Sequence, residues 1–172
     1  MKVNSSKTVS GEFLEYRGER YYVIREINEM PPFFISVISS SDHWLFISST
    51  GALTAGRISP EHALFPYETV DNIYDSVGHT GSKTIIKVTN DNQVTYWQPF
   101  AEDQSDHFRV TRSLYKNALG SKIWFEEVNH DLGLAFSCGW ETSDQFGFVR
   151  RSELKNLGEK VVSIELLDGI QN

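Results

Sequence analysis

Between Pro31 and Arg57 the chain concentrates the side chains best suited to chemistry. Asp42, His43 and Trp44 follow one another, Phe46 comes two residues later, and a run of small and hydroxyl residues containing Thr54 leads to Arg57. A pyranose ring has an apolar face that stacks on aromatic rings, and hydroxyls that need converging donors and acceptors. This mixture supplies both. Trp97 and Trp140 add further rings. Asp42, His43, Trp44, Thr54, Arg57 and Trp97 are therefore the candidate carbohydrate-contacting or interdomain residues. A competing structural account also fits, because Trp44 and Phe46 lie two apart and would share one face of a strand, where aromatic residues of a sandwich mostly fill the core.

Other chemistries find less support. Residues 78–84, Gly-His-Thr-Gly-Ser-Lys-Thr, have the composition of a phosphate loop, but Ser82 separates Gly81 from Lys83 and the apolar run from Ile85 continues as strand rather than helix. The five histidines, His43, His62, His79, His107 and His130, include no pair at metal-ligand spacing. The densest polar group is Asp103, Asp106 and His107, which reads as a solvated loop. No Gly-x-Ser-x-Gly elbow is present for a Ser-His-Asp triad. Asp42, Asp71, Asp75, Glu126 and Glu127 are the carboxylates available to a glycosidase pair, but adjacent Glu126 and Glu127 point to opposite faces of a strand. No catalytic residue, metal or cofactor is assigned on these grounds.

The elements that must position the candidates are short. Apolar runs rich in β-branched and aromatic residues recur at 13–17, 21–27, 33–38, 44–48, 82–89, 93–98, 108–117, 122–128, 132–141, 146–154 and 160–167. Gly, Asp, Asn and Ser clusters separate them, including Gly18-Glu19, residues 39–42 and residues 90–92. That spacing describes an all-β antiparallel sandwich. Alternation within 110–117 and 122–128 is imperfect, so both faces of those strands are expected to be partly covered. Residues 59–75 carry weak strand signal and read as an excursion over one face, with one helical turn starting at Pro60. Near the end, Asp168-Gly169 has hairpin-turn composition, and a returning strand would lie beyond Asn172.

With 172 residues, 40% of them hydrophobic and 13% aromatic, the chain fits one domain spanning 1–172. A net charge of −7 without a Lys/Arg run disfavours nucleic acid and anionic membrane as partners. The opening seven residues lack the apolar stretch of a signal peptide, and no 18 apolar residues run together. Cys138, the single cysteine, excludes an internal disulfide. A reduced, cytoplasmic location is the default, so the glycosylation pattern Asn4-Ser5-Ser6 carries little weight.

The order of several short pieces resembles the N-terminal β-sandwich of the inverting glycoside phosphorylases typified by cellobiose phosphorylase. These are Pro31-Pro32-Phe33-Phe34-Ile35, residues 46–51 followed by Arg57, Trp97-Gln98-Pro99, Arg109-Val110-Thr111-Arg112, Asn156-Leu157, and Leu166-Leu167-Asp168-Gly169. Where that family has a Gly-Gly-Tyr-Ser-like stretch before its arginine, this chain has Ala52-Leu53-Thr54. The resemblance implies a supersandwich of the galactose mutarotase type, forming the non-catalytic N-terminal part of a much longer enzyme that acts on β-linked glucosides. Its partners would be the C-terminal catalytic helical barrel of the same polypeptide, a sugar or oligosaccharide, and a second copy in a homodimer. Two alternatives stand beside it. One is a self-sufficient carbohydrate-binding module using Trp44, Trp97 and Trp140. The other is a mutarotase-like sugar epimerase, which needs a His and a Glu facing one pocket.

Overall fold

The computed structural model describes residues 8–69, 71–75, 77–90, 93–102 and 107–171. Asn4-Ser5-Ser6, Asp91, Asn92, Asp103 and Asp106 lie outside these. Six strands form the widest sheet, in the order β1 (Ser10–Tyr16), β2 (Glu19–Arg25), β9 (Val110–Asn117), β10 (Lys122–Asn129), β11 (Leu134–Ser143), β12 (Gly147–Asn156). A four-stranded sheet contains β3 (Phe34–Val37), β4 (His43–Ser48), β5 (Leu53–Arg57) and β6 (Ala63–Phe65) in chain order. A three-stranded sheet places β7 (Gly81–Asn90) between β13 (Ser163–Gln171) and β8 (Gln93–Trp97). Every named strand pair is antiparallel. The chain is an all-β sandwich, as its sequence pattern predicts.

Local sequence explains the shorter connections. In the β1–β2 hairpin Arg17 and Gly18 take φ of 51° and 80°, and positive φ at both central residues is the turn geometry that follows strand twist. β5 and β6 escape a strand assignment from sequence because Leu53-Thr54-Ala55-Gly56-Arg57 is too rich in small residues to give a period-2 signal. Pro60–His62 forms a single 3-10 turn, close to the helical turn expected there. Asp168-Gly169 is not a turn. Both residues lie inside β13, paired with Thr84 and Lys83 of β7, because the Asp168 carboxylate is committed to partners on neighbouring strands and the ladder continues through Gln171.

One core lies between the sheets. Leu114, Ile123, Phe125, Leu134, Phe136 and Trp140 of the six-stranded sheet meet Leu45, Ile47, Leu53 and Phe65 of the four-stranded sheet and Ile86, Val88 and Trp97 of the three-stranded one. The outer face of the six-stranded sheet carries a second cluster of Tyr21, Val23, Tyr115 and Trp124, with the Arg17 guanidinium 3.7 Å from the Trp124 ring centroid. Both faces of the sheet are thus partly covered, which accounts for the imperfect alternation.

Two charged groups tie the layers together. Glu127, 2% exposed, accepts hydrogen bonds from Trp97 Nε1 at 2.7 Å, from the Phe100 backbone N–H at 2.8 Å and from Arg112 Nε at 2.7 Å. Arg112 also donates to the Ala101 carbonyl at 2.8 Å. A carboxylate buried this deeply is tolerated because both its oxygens are satisfied. Glu126, on the opposite face, accepts from the Tyr115 hydroxyl at 2.8 Å. Across the gap between β12 and β13, Arg150 pairs with both oxygens of Asp168 at 2.7 and 2.8 Å, and Thr84 and Ser152 donate to the same carboxylate. Cys138 lies in this neighbourhood, and burial pushes its thiol up to about 11. Among the described residues no helix is long and apolar enough to cross a membrane.

Burial alone would raise the Asp168 carboxyl, but the hydrogen bonds from Arg150, Ser152 and Thr84 overcome it and hold the group at about 2, against an ordinary 3.8. The folded-state value is depressed, so the stability it supplies is present above the unfolded value and is lost as pH falls from about 4 towards 2. Urea unfolding of the wild type should lose about 2 kcal/mol more over that window than Asp168→Asn does. Parallel pH profiles for the two proteins would rule out this role for Asp168.

Candidate functional site

The β4–β5 hairpin gathers five of the six candidate residues. Leu45 and Ile47 point into the core, so alternation turns Trp44 and Phe46 to the outer face of the four-stranded sheet. Ile35 and Val37 do the same for Phe34 on β3. The result is a row of half-buried rings. Phe34 and Phe46 have centroids 5.1 Å apart at 31°, and Phe46 and Trp44 are 5.9 Å apart at 28°. Tyr67, from the excursion that follows β6, meets Trp44 edge-on at 5.8 Å and 81°. Trp44 Nε1 is buried without a hydrogen-bond partner among the described residues.

Thr54 and Gly56 build this face from beneath. Thr54 is fully buried and donates to the Pro66 carbonyl at 2.7 Å while accepting from the Glu68 N–H at 3.3 Å, so it grips the backbone on both sides of Tyr67. At Gly56 a Cβ would stand 2.4 Å from Trp44 Cζ2 and 2.7 Å from the His62 carbonyl oxygen. Only glycine lets the indole and the returning chain approach β5 so closely.

At the end of the same hairpin, Arg57 reaches back to Asp42 with three contacts of 3.0–3.1 Å to its two oxygens. The pair is exposed and contributes little to stability, but it fixes the guanidinium plane. His43 shares a 2.6 Å hydrogen bond with Ser41 Oγ through Nδ1 and lies edge-on to Phe148 at 5.1 Å. An open groove of about 650 Å³ runs past His43, Arg57, His62, Leu64, Phe146 and Phe148. Phe146, at the tip of the β11–β12 hairpin, is 72% exposed and also borders a second open groove of about 790 Å³ that includes Ser40, Asp144 and Arg151.

Asp42, His43, Trp44 and Arg57 thus occupy one end of one hairpin, and Thr54 lies beneath it. Trp97 is elsewhere, fully buried and bonded to Glu127, and Trp140 is also in the core. His43 and His62 border the same groove. No group of three or more His, Cys, Asp or Glu suited to a metal ion occurs among the described residues. Sequence reasoning missed Tyr67, Phe146 and Ile58. Phe146 had a signal, since a large apolar residue within the polar run 143–147 contradicts ordinary turn composition.

Ile58 had none. It has φ of 61° and is 74% exposed, its N–H donates to the Asp42 carbonyl at 2.8 Å, and the Ser59 N–H closes onto the Arg57 carbonyl at 2.6 Å. A hydrogen bond spanning three residues around a positive φ is a γ-turn of the strained hand, and a β-branched residue is poorly suited to it. Ile58→Gly, which has no Cβ to clash at positive φ, should therefore stabilise the fold by about 1 kcal/mol and raise Tm by about 2–4 °C. An unchanged or lower Tm would show that the turn is relaxed with isoleucine in place. No protein-family model matches this chain, and none of the curated proteins does.

Proposed function

We propose that this chain is a non-catalytic β-sandwich module of a carbohydrate-active enzyme of the cellobiose phosphorylase type, and that it meets saccharide on the outer face and end of the β4–β5 hairpin. The observation that carries this reading is the row of Phe34, Phe46 and Trp44 on one sheet face, whose neighbouring rings meet at 31° and 28°. A strip of half-buried rings offers apolar contact to the C–H groups of a sugar, whose hydroxyls stay directed to solvent or polar side chains. Tyr67 walls one side of the row, with its phenol half exposed.

The end of the hairpin supplies the polar half of the site. Arg57 and Asp42 present a planar ion pair with further donor and acceptor capacity, and His62 stands exposed across the groove. On this reading the module is cytoplasmic and its first partner is the catalytic domain of the same polypeptide. Its contribution is to hold substrate or to pack against that domain, while bond cleavage belongs to the partner.

Tryptophan fluorescence during titration with β-linked gluco-oligosaccharides tests the saccharide contact. Trp97, Trp124 and Trp140 are buried, so a ligand on the ring row changes chiefly the emission of Trp44. A saturable change is expected, with affinity lowered about tenfold or more in Trp44→Ala, since stacking and apolar contact with one indole contribute about 1.5–3 kcal/mol. A flat titration with the wild type across α- and β-linked oligosaccharides would overturn the proposal.

A further inference from the structure

We infer that Phe146 is a second saccharide platform, separate from the ring row, and that the sugar unit stacked on it is uncharged; this rests on the carbohydrate reading above. Phe146 borders both open grooves, and none of Phe34, Phe46 and Trp44 lines either one. Its ring is not needed by the turn that carries it. Ser143 Oγ accepts from the backbone N–H groups of Gln145 and Phe146 at 3.3 and 3.4 Å, and Gly147 supplies the positive φ, 73°, that returns the chain into β12. Phe148, two residues on, also borders both grooves but packs against the core and meets the His43 ring edge-on. Of the two phenyl groups, one is therefore anchored and the other displayed.

A single exposed ring is ordinary on a protein surface, so the polar groups around this one decide what it takes. On one side stand Arg57 and His62, on the other Ser40 and Thr142, and Asp144 borders both grooves. These groups donate and accept at the positions where a pyranose stacked on the ring directs its hydroxyls. The charges select against an anion. Arg57 is engaged by both oxygens of Asp42, Arg150 by both oxygens of Asp168, and Arg151 by Glu141 at 2.9 Å. A phosphorylated or acidic sugar would have to displace one of these carboxylates, and it would meet the Asp144 carboxylate as well. A neutral unit needs only hydrogen bonds, which the paired guanidinium groups still have donors to make.

The test moves the fluorescent reporter from the row to the platform. In the double variant Trp44→Phe, Phe146→Trp the only exposed indole is at position 146, because Trp97, Trp124 and Trp140 are buried. Titration with cellotetraose should give a saturable change in its emission. Calorimetry in the Trp44→Phe background should show Phe146→Ala binding cellotetraose about fivefold more weakly than Phe146 does, the equivalent of about 1 kcal/mol, with Tm unchanged. Cellobiose 6′-phosphate should bind more weakly than cellobiose. A silent reporter, or equal affinity with alanine and phenylalanine, while wild-type Trp44 still responds to the sugar, would overturn the platform and leave the ring row standing. Tighter binding of the phosphorylated disaccharide would overturn the uncharged ligand. Weaker binding in Phe146→Ala accompanied by a lower Tm would count against the platform, because the ring would then act through the fold. If the wild type binds no saccharide by either method, the carbohydrate reading falls and the platform with it.

Discussion

The inner face of the six-stranded sheet is the constraint on which everything else depends. It carries Leu114, Ile123, Phe125, Leu134, Phe136 and Trp140, and a face that apolar has to be covered. Two smaller sheets do this together. The three-stranded sheet contributes Ile86, Val88 and Trp97, and the four-stranded sheet contributes Leu45, Ile47, Leu53 and Phe65. Because β4 commits its odd-numbered residues to that covering role, its even-numbered residues Trp44 and Phe46 must face outward. The aromatic face is thus a by-product of strand geometry before it is anything else, and function can then act on it without disturbing the core.

Apolar covering is non-directional, so it does not fix how the layers align. The buried polar groups do. Glu127 accepts from Trp97, Arg112 and the Phe100 backbone, which allows one placement of β8 over β9 and β10. Arg150 and Asp168 hold β12 against β13 with two parallel hydrogen bonds, and Thr84 extends the contact to β7. A group of this kind contributes modestly when whole, yet removing one partner strands a buried charge. The candidate site shows the same division of labour on a smaller scale. Thr54 is hidden and sets the backbone around Tyr67, while Asp42 is on the surface and sets both Arg57 and the Ile58 turn.

Most strands were legible because period-2 patterning survives wherever one face is buried, as in 82–89. The pattern failed where small residues replaced the usual β-formers, in β5, and where composition indicated a turn but a salt bridge decided otherwise, at Asp168-Gly169. Candidate residues followed the same rule. Asp42, His43, Trp44 and Arg57 were recognisable as a group because they share one short hairpin, so sequence proximity became spatial proximity. Trp97 was singled out for its ring, yet its side chain is spent on Glu127, a residue 30 positions away that no local pattern connects to it.

The sequence by itself determined the all-β class, that Trp44 and Phe46 share one face of a strand, and the opposite orientations of Glu126 and Glu127, because each follows from alternation along a single strand. Only the tertiary structure decided that Tyr67 closes the aromatic row, that Phe146 from a distant hairpin borders the groove of Arg57, and that Ile58 holds a left-handed backbone. Those outcomes depend on long-range covering of the core and on hydrogen bonds between segments far apart in the chain. Periodicity carries no information about which strands will meet.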